Sequence, residues 1–113
     1  MSEMPVNFDK LNEMKSIMGE VFNQLIPAYI EQSDEMIADM PERLSNGELD
    51  ILERHAHSMK SSSLNIGADH LSDIAKALED MSHHKESSAL LDEKIKLITA
   101  EYARVKDALQ NNI

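Results

Sequence analysis

The chain has no cysteine and no tryptophan, and only two tyrosines and two phenylalanines among its 113 residues. Without cysteine there is no disulfide framework and no thiolate chemistry to consider. No apolar run approaches the roughly eighteen residues of a membrane-spanning helix, so a membrane-embedded role is not expected. The N-terminus lacks a basic stretch followed by an apolar one, the mark of a secretory signal. Cytoplasm is therefore the expected location. Basic residues are also scarce: eleven Lys and Arg face twenty-one Asp and Glu, for a formal charge of -10. The imbalance sits mainly in the first half, where residues 1–50 carry eleven acids and three bases, net -8; residues 51–113 carry ten and eight, net -2. Such a surface repels nucleic acid phosphates and anionic lipid, which excludes both as expected partners. It also suits steering toward a partner with a basic rim, in a salt-dependent way.

What is present is helical periodicity. Nothing alternates with period two over a useful length, and there is no internal repeat or low-complexity tract. Eight methionines fit a core of flexible aliphatics in narrow helix–helix gaps. The length is that of one domain, 1–113, with residues 1–6 expected to be disordered. Asn7 or Asp9 is the cap of a short first helix with Leu11, Met14 and Met18 on one face. Gly19 interrupts or bends the path. Phe22, Leu25, Tyr29, Met36 and Met40, flanked by Ile26, Ile30 and Ile37, then mark a long helix to about Met40. Pro27 either kinks it near residues 23–27 or opens it, with residues 20–25 as a separate turn. Pro41 ends it or opens a short turn.

Ser45-Asn46-Gly47 is the clearest break. Ser45 with Glu48 resembles a capping box, and Asn46 is the competing cap. The central helix is expected over about 47–64, burying Leu52, Ala56, Met59 and Ser63 at spacings of four, three and four. Asn65-Ile66-Gly67 turns the chain, with Gly67 in a backbone shape open to glycine. A fourth helix carries Leu71, Ile74, Ala75 and Leu78 to about Met81. After a polar loop, 82–87, the last helix carries Leu91, Ile95, Ile98, Tyr102, Val105 and Leu109. These stripes predict an all-α fold: an antiparallel four-helix bundle with up-and-down connectivity and a short additional N-terminal helix.

The chemistry concentrates at His57. Side chains three and four apart on a helix are neighbours, so Glu53, Lys60 and Ser61 should surround it, with Leu64 one turn further. The blander account is an ordinary surface histidine. Against that, an imidazole beside a cation suits a residue that carries an anion, and Lys60 would favour a phosphorylated ring. Ser61, Ser62 and Ser63 are poor helix formers; together they make a smooth surface for a close-approaching protein, although Ser63 is better explained by packing. His55 points about 200° from His57 and cannot share a metal with it. His83 and His84 form a weak metal signal without a third ligand, for which Glu86 is available. No metal or cofactor of its own is expected.

His57-x-x-Lys60-Ser61-Ser62-Ser63-Leu64-Asn65-Ile66-Gly67-Ala68, followed by Leu71 and Leu78-Glu79, resembles the histidine-containing phosphotransfer (HPt) family of two-component phosphorelays, in stand-alone form. The resemblance spans about residues 10–110. It implies that His57 accepts a phosphoryl group from the aspartate of a receiver domain and passes it to another receiver. It implies that Lys60 holds the phosphoryl oxygens, with Ser61, Ser62, Gly67 and Glu53 in support. Ser61 departs from the family's usual glycine, which bears on how closely a receiver docks. Leu64, Asn65 and His70 are candidate docking residues. The implied partners are response-regulator receivers and a hybrid sensor kinase in trans, with Mg2+ held by the receiver and the chain itself a monomer. No glycine-rich nucleotide loop or kinase signature is present, so the chain is not expected to use ATP. The alternative is a non-catalytic helical adaptor that docks signalling proteins without being phosphorylated.

Overall fold

The computed structural model describes residues 4–112. Helix α1 (Phe8–Met18) leads through a 3-10 turn, Gly19–Val21, into α2 (Phe22–Ser45). Then follow α3 (Leu49–Asn65), α4 (Asp69–His83) and α5 (Ser88–Asn112). No strand occurs among the described residues. Helices α2 to α5 form a ring in which each packs on its sequence neighbour and α5 closes on α2. Up-and-down connectivity follows from the short links.

The apolar stripes turn inward as their spacing requires. Leu52, Ala56, Met59 and Ser63 are fully buried along α3, and Leu91, Ile95, Ile98, Tyr102, Val105 and Leu109 form the seam of α5. Phe22, Ile26, Tyr29 and Met40 from α2 and Leu71, Ala75 and Leu78 from α4 complete the core. Two polar links tie the layers. The buried Tyr29 and Ser63 hydroxyls are hydrogen-bonded at 2.8 Å. The Tyr102 hydroxyl donates to Asp34 at 2.7 Å, and Lys106 donates to the same carboxylate at 3.0 Å.

Several boundaries differ from the sequence expectation. Residues 1–3 lie outside those described, but Val6 is buried in the core rather than frayed. The amide of Asn7 donates to the Gly67 carbonyl at 2.9 Å, and its side chain caps α1 by accepting from the Lys10 amide. Both Pro27 and Pro41 lie inside α2, and the break in the path falls earlier, at Gly19–Val21. Pro41 does not end the helix: beyond it Leu44 packs partly buried against the core, and Arg43 is paired with Asp39 and Glu48. The capping box at Ser45 is not formed either. Ser45 is the last residue of α2, Asn46 caps that helix's C-terminus, and Glu48 reaches back to Arg43.

Helix α3 ends in a six-to-one and five-to-two pair of backbone bonds. The Ala68 amide donates to the Ser63 carbonyl at 2.9 Å and the Gly67 amide to the Leu64 carbonyl at 3.2 Å. This motif needs a left-handed residue at Gly67, whose φ is 84°. A Cβ there would meet the Asn7 carbonyl oxygen at 3.1 Å. The glycine thus serves both the turn and the approach of the N-terminal segment.

Candidate functional site

His57 sits in the middle of α3 on the side facing α4, one residue after the buried Ala56. Its side chain is 60% exposed. Its Nδ1 lies 2.7 Å from Glu79 Oε2, and Lys60 Nζ donates to Glu79 Oε1 at 2.8 Å. One α4 carboxylate therefore bridges the imidazole and the ammonium. Lys60 holds the Glu79 carboxyl below the usual glutamate range, more than partial burial raises it, and His57 pulls in the same direction. An ionised carboxylate only accepts. Nδ1 of His57 therefore carries a proton in this contact, which leaves Nε2 as the ring nitrogen not engaged by Glu79.

The backbone beneath the pair is fixed from α4. The Ser72 hydroxyl donates to the Lys60 carbonyl at 2.8 Å. Ser61 is exposed, while the Ser62 hydroxyl donates to the Ser58 carbonyl at 2.8 Å. Ser63 belongs to the core with Tyr29. Lys10 of α1 reaches across to donate to the Leu64 carbonyl at 2.8 Å, and Leu64 itself is half-exposed. Asn65 and Ser62 border a small apolar depression of about 130 Å3 beside Leu25 and Tyr29.

Some expected neighbours are placed elsewhere. Glu53 turns from His57 to His83, at 3.3 Å. His70 faces α5, in a depression shared with Met4, Glu101 and Arg104, and is not brought to His57. His55 bonds Asp39 of α2 at 2.8 Å. His84 Nδ1 turns to its own helix, at the Asp80 carbonyl, 2.7 Å away. Among the described residues no group of three or more His, Cys, Asp or Glu is placed to hold a metal ion. Glu79 and Ser72 were missed as site residues. The pairing Leu78-Glu79 after the His57 motif was the signal for the first; nothing local pointed to the second.

A family model described as the Hpt domain matches residues 24–109, which span α2 to α5 and include the whole His57–Glu79 arrangement. The chain belongs to the Hpt domain family. Hpt domains are histidine phosphotransfer intermediates of two-component signalling, and they pair with receiver domains. The fold has a close counterpart in the crystal structure of histidine-containing phosphotransfer protein B (HptB) from Pseudomonas aeruginosa PAO1. The TM-score is 0.86 at 23% identity, over 97% of this chain and 95% of that one. That likeness concerns the fold. No curated protein matches the sequence. As an Hpt domain, the chain relays a phosphoryl group on histidine between receivers.

Proposed function

We propose that His57 is the phosphoacceptor of this relay, with Lys60 and Glu79 as its two auxiliaries. The observation that supports it is the single Glu79 carboxylate joining an exposed imidazole to an ammonium. The Nε2 lone pair attacks the phosphorus of a receiver's aspartyl phosphate. The N–P bond forms as the P–O bond to the aspartyl carboxyl breaks, and the carboxylate leaves. The phosphorylated ring is formally cationic while Nδ1 keeps its proton, and Glu79 stabilises that charge. Lys60 is one helical turn from the ring and neutralises phosphoryl oxygens. The return step breaks the same N–P bond toward the next receiver.

Ser61 and Ser62 leave the approach to Nε2 low, and Leu64 and Asn65 extend that surface along α3. The partners are receiver domains and a hybrid sensor kinase in trans, met by a monomer in the cytoplasm. Magnesium belongs to the receiver. No helix among the described residues is long and apolar enough to cross a membrane.

Mixing the chain with a receiver domain phosphorylated by acetyl phosphate tests this reading. Wild type acquires a label stable to base and labile to acid. His57→Gln acquires none while its helical signal and melting remain those of wild type. A label on the mutant overturns the assignment of His57, and no label on wild type with any receiver leaves the docking adaptor as the better account.

A further inference from the structure

The seam between α3 and α4 carries one pattern twice. Glu53 and His57 stand four apart on α3, and Glu79 and His83 stand four apart on α4. The helices run antiparallel, and the glutamate–histidine pairs form across the seam rather than along either helix. His57 Nδ1 meets Glu79 at 2.7 Å, and His83 Nδ1 meets Glu53 at 3.3 Å. Four residues span about 6 Å of helix, so the second pair lies one turn from the first. The pairs differ in what stands beside them. Lys60 is three residues beyond His57, whereas Glu86 is three beyond His83. The second pair therefore lacks the cation that a phosphoryl site needs, and its role lies in where it puts the Glu53 carboxylate.

A glutamate four residues before a cation is the favoured order for a pair within one helix. A released Glu53 is thus well placed to reach the His57 ring. Nδ1 is already taken by Glu79, which leaves only Nε2. An ionised carboxylate only accepts, so it bonds Nε2 when that nitrogen is protonated. The ring is then an imidazolium, with no lone pair to attack phosphorus. The same carboxylate would set a negative charge beside the incoming phosphoryl group.

We propose that His83 is a positioning residue for phosphoryl transfer: it draws the Glu53 carboxylate off His57 and keeps Nε2 clear. The proposal rests on His57 as the phosphoacceptor. Glu53, expected from the family resemblance to support the site, is instead a group the site must hold away. The His83 side chain is 68% exposed and acts through Glu53 rather than on the reacting atoms.

Because His83 is exposed, His83→Ala in the full chain should leave the fold intact. Phosphoryl acceptance from a receiver charged with acetyl phosphate should slow about threefold at low salt. The loss should shrink in about 0.5 M salt. The imidazolium fraction of His57 at pH 7, read from its ring nitrogen shifts, should rise about twofold. Adding Glu53→Gln to His83→Ala should restore both values, because the amide brings no charge to Nε2. His84→Ala spares the His83–Glu53 contact and should change neither. Wild-type acceptance by His83→Ala, or a double variant as slow as His83→Ala, would overturn the proposal. So would a Glu53→Gln variant slowed as much as His83→Ala, since Glu53 would then be helping the reaction. The nitrogen shifts need no receiver. A wild-type chain that accepts no phosphate defeats the phosphoacceptor reading, whereas an unchanged imidazolium fraction in His83→Ala defeats the hold on Glu53 by itself.

Discussion

Glu79 makes two contacts from one carboxylate, and they have separable consequences. Toward His57 it places a proton on Nδ1; toward Lys60 it holds the ammonium on the same side of α3 as the ring. Glu79→Gln keeps the shape and removes the charge. The expected result is phosphoryl acceptance slowed about tenfold, together with nitrogen NMR shifts of His57 that move from the Nδ1-protonated form toward a tautomer mixture. Unchanged nitrogen shifts would show that the carboxylate does not set the tautomer. Lys60→Ala should slow transfer by a similar factor, about tenfold or more, through lost neutralisation of the phosphoryl oxygens, and leave the preference for Nδ1–H in place. Equal transfer by this variant and wild type would remove Lys60 from the chemistry. His57 and Lys60 could be paired from sequence because neighbours within one helix follow from spacing. Glu79 is twenty-two residues from His57, and its position depends on the register of α4 against α3, which no spacing within one helix determines. Ser72 escaped notice for the same reason.

Three helices end in the same backbone motif, with amides donating six-to-one and five-to-two, and the left-handed residue differs among them. It is Gly47 after α2, Gly67 after α3 and Lys85 after α4, with φ of 71°, 84° and 54°. A side chain in that region costs about 1–2 kcal/mol, so the positions respond oppositely to substitution. Lys85→Gly should stabilise by about 0.5–1 kcal/mol, the relief of φ less the added chain entropy of glycine. Gly67→Ala should destabilise by about 1–2 kcal/mol from φ, and further because the new Cβ meets the Asn7 carbonyl oxygen. Urea midpoints of the two variants against wild type check both signs; a destabilised Lys85→Gly would show that this lysine holds its turn through its side chain. The helical stripes and the glycine turn at 67 were legible in sequence because both follow from local rules. The length of α2 was not. Whether Pro41 stops a helix depends on what Arg43 and Leu44 gain beyond it, and that is decided by the rest of the bundle.

For the whole molecule, the charged links between helices set the pH range of stability. Among the described residues, three carboxyls have pKa values lowered by their contacts. Asp34 is lowered first by the Tyr102 hydroxyl and then by Lys106, Asp39 first by His55, and Glu79 first by Lys60. A carboxyl depressed in the fold adds stability that is complete above its unfolded value, 3.8 for Asp and 4.5 for Glu. That contribution is lost as pH falls through the folded value. The two tyrosines act with the opposite sense. Burial raises Tyr29, and burial with the Asp34 carboxylate raises Tyr102 well beyond 10.0. A group raised in the fold adds stability that is complete below the unfolded value and lost as pH climbs past it. Melting temperature should therefore hold level between about pH 5 and 9 and fall on both sides. Asp34 belongs to both limbs, since it is lowered by Tyr102 and helps to raise it. Asp34→Asn should make the acid fall shallower while Glu79 still sets where it begins, and should bring the alkaline fall closer to that of an ordinary tyrosine. Thermal scans across pH by circular dichroism read both limbs at once. An acid limb identical to that of wild type would mean that the bond from Tyr102 to Asp34, which joins α5 to α2, contributes nothing to the pH dependence of the fold.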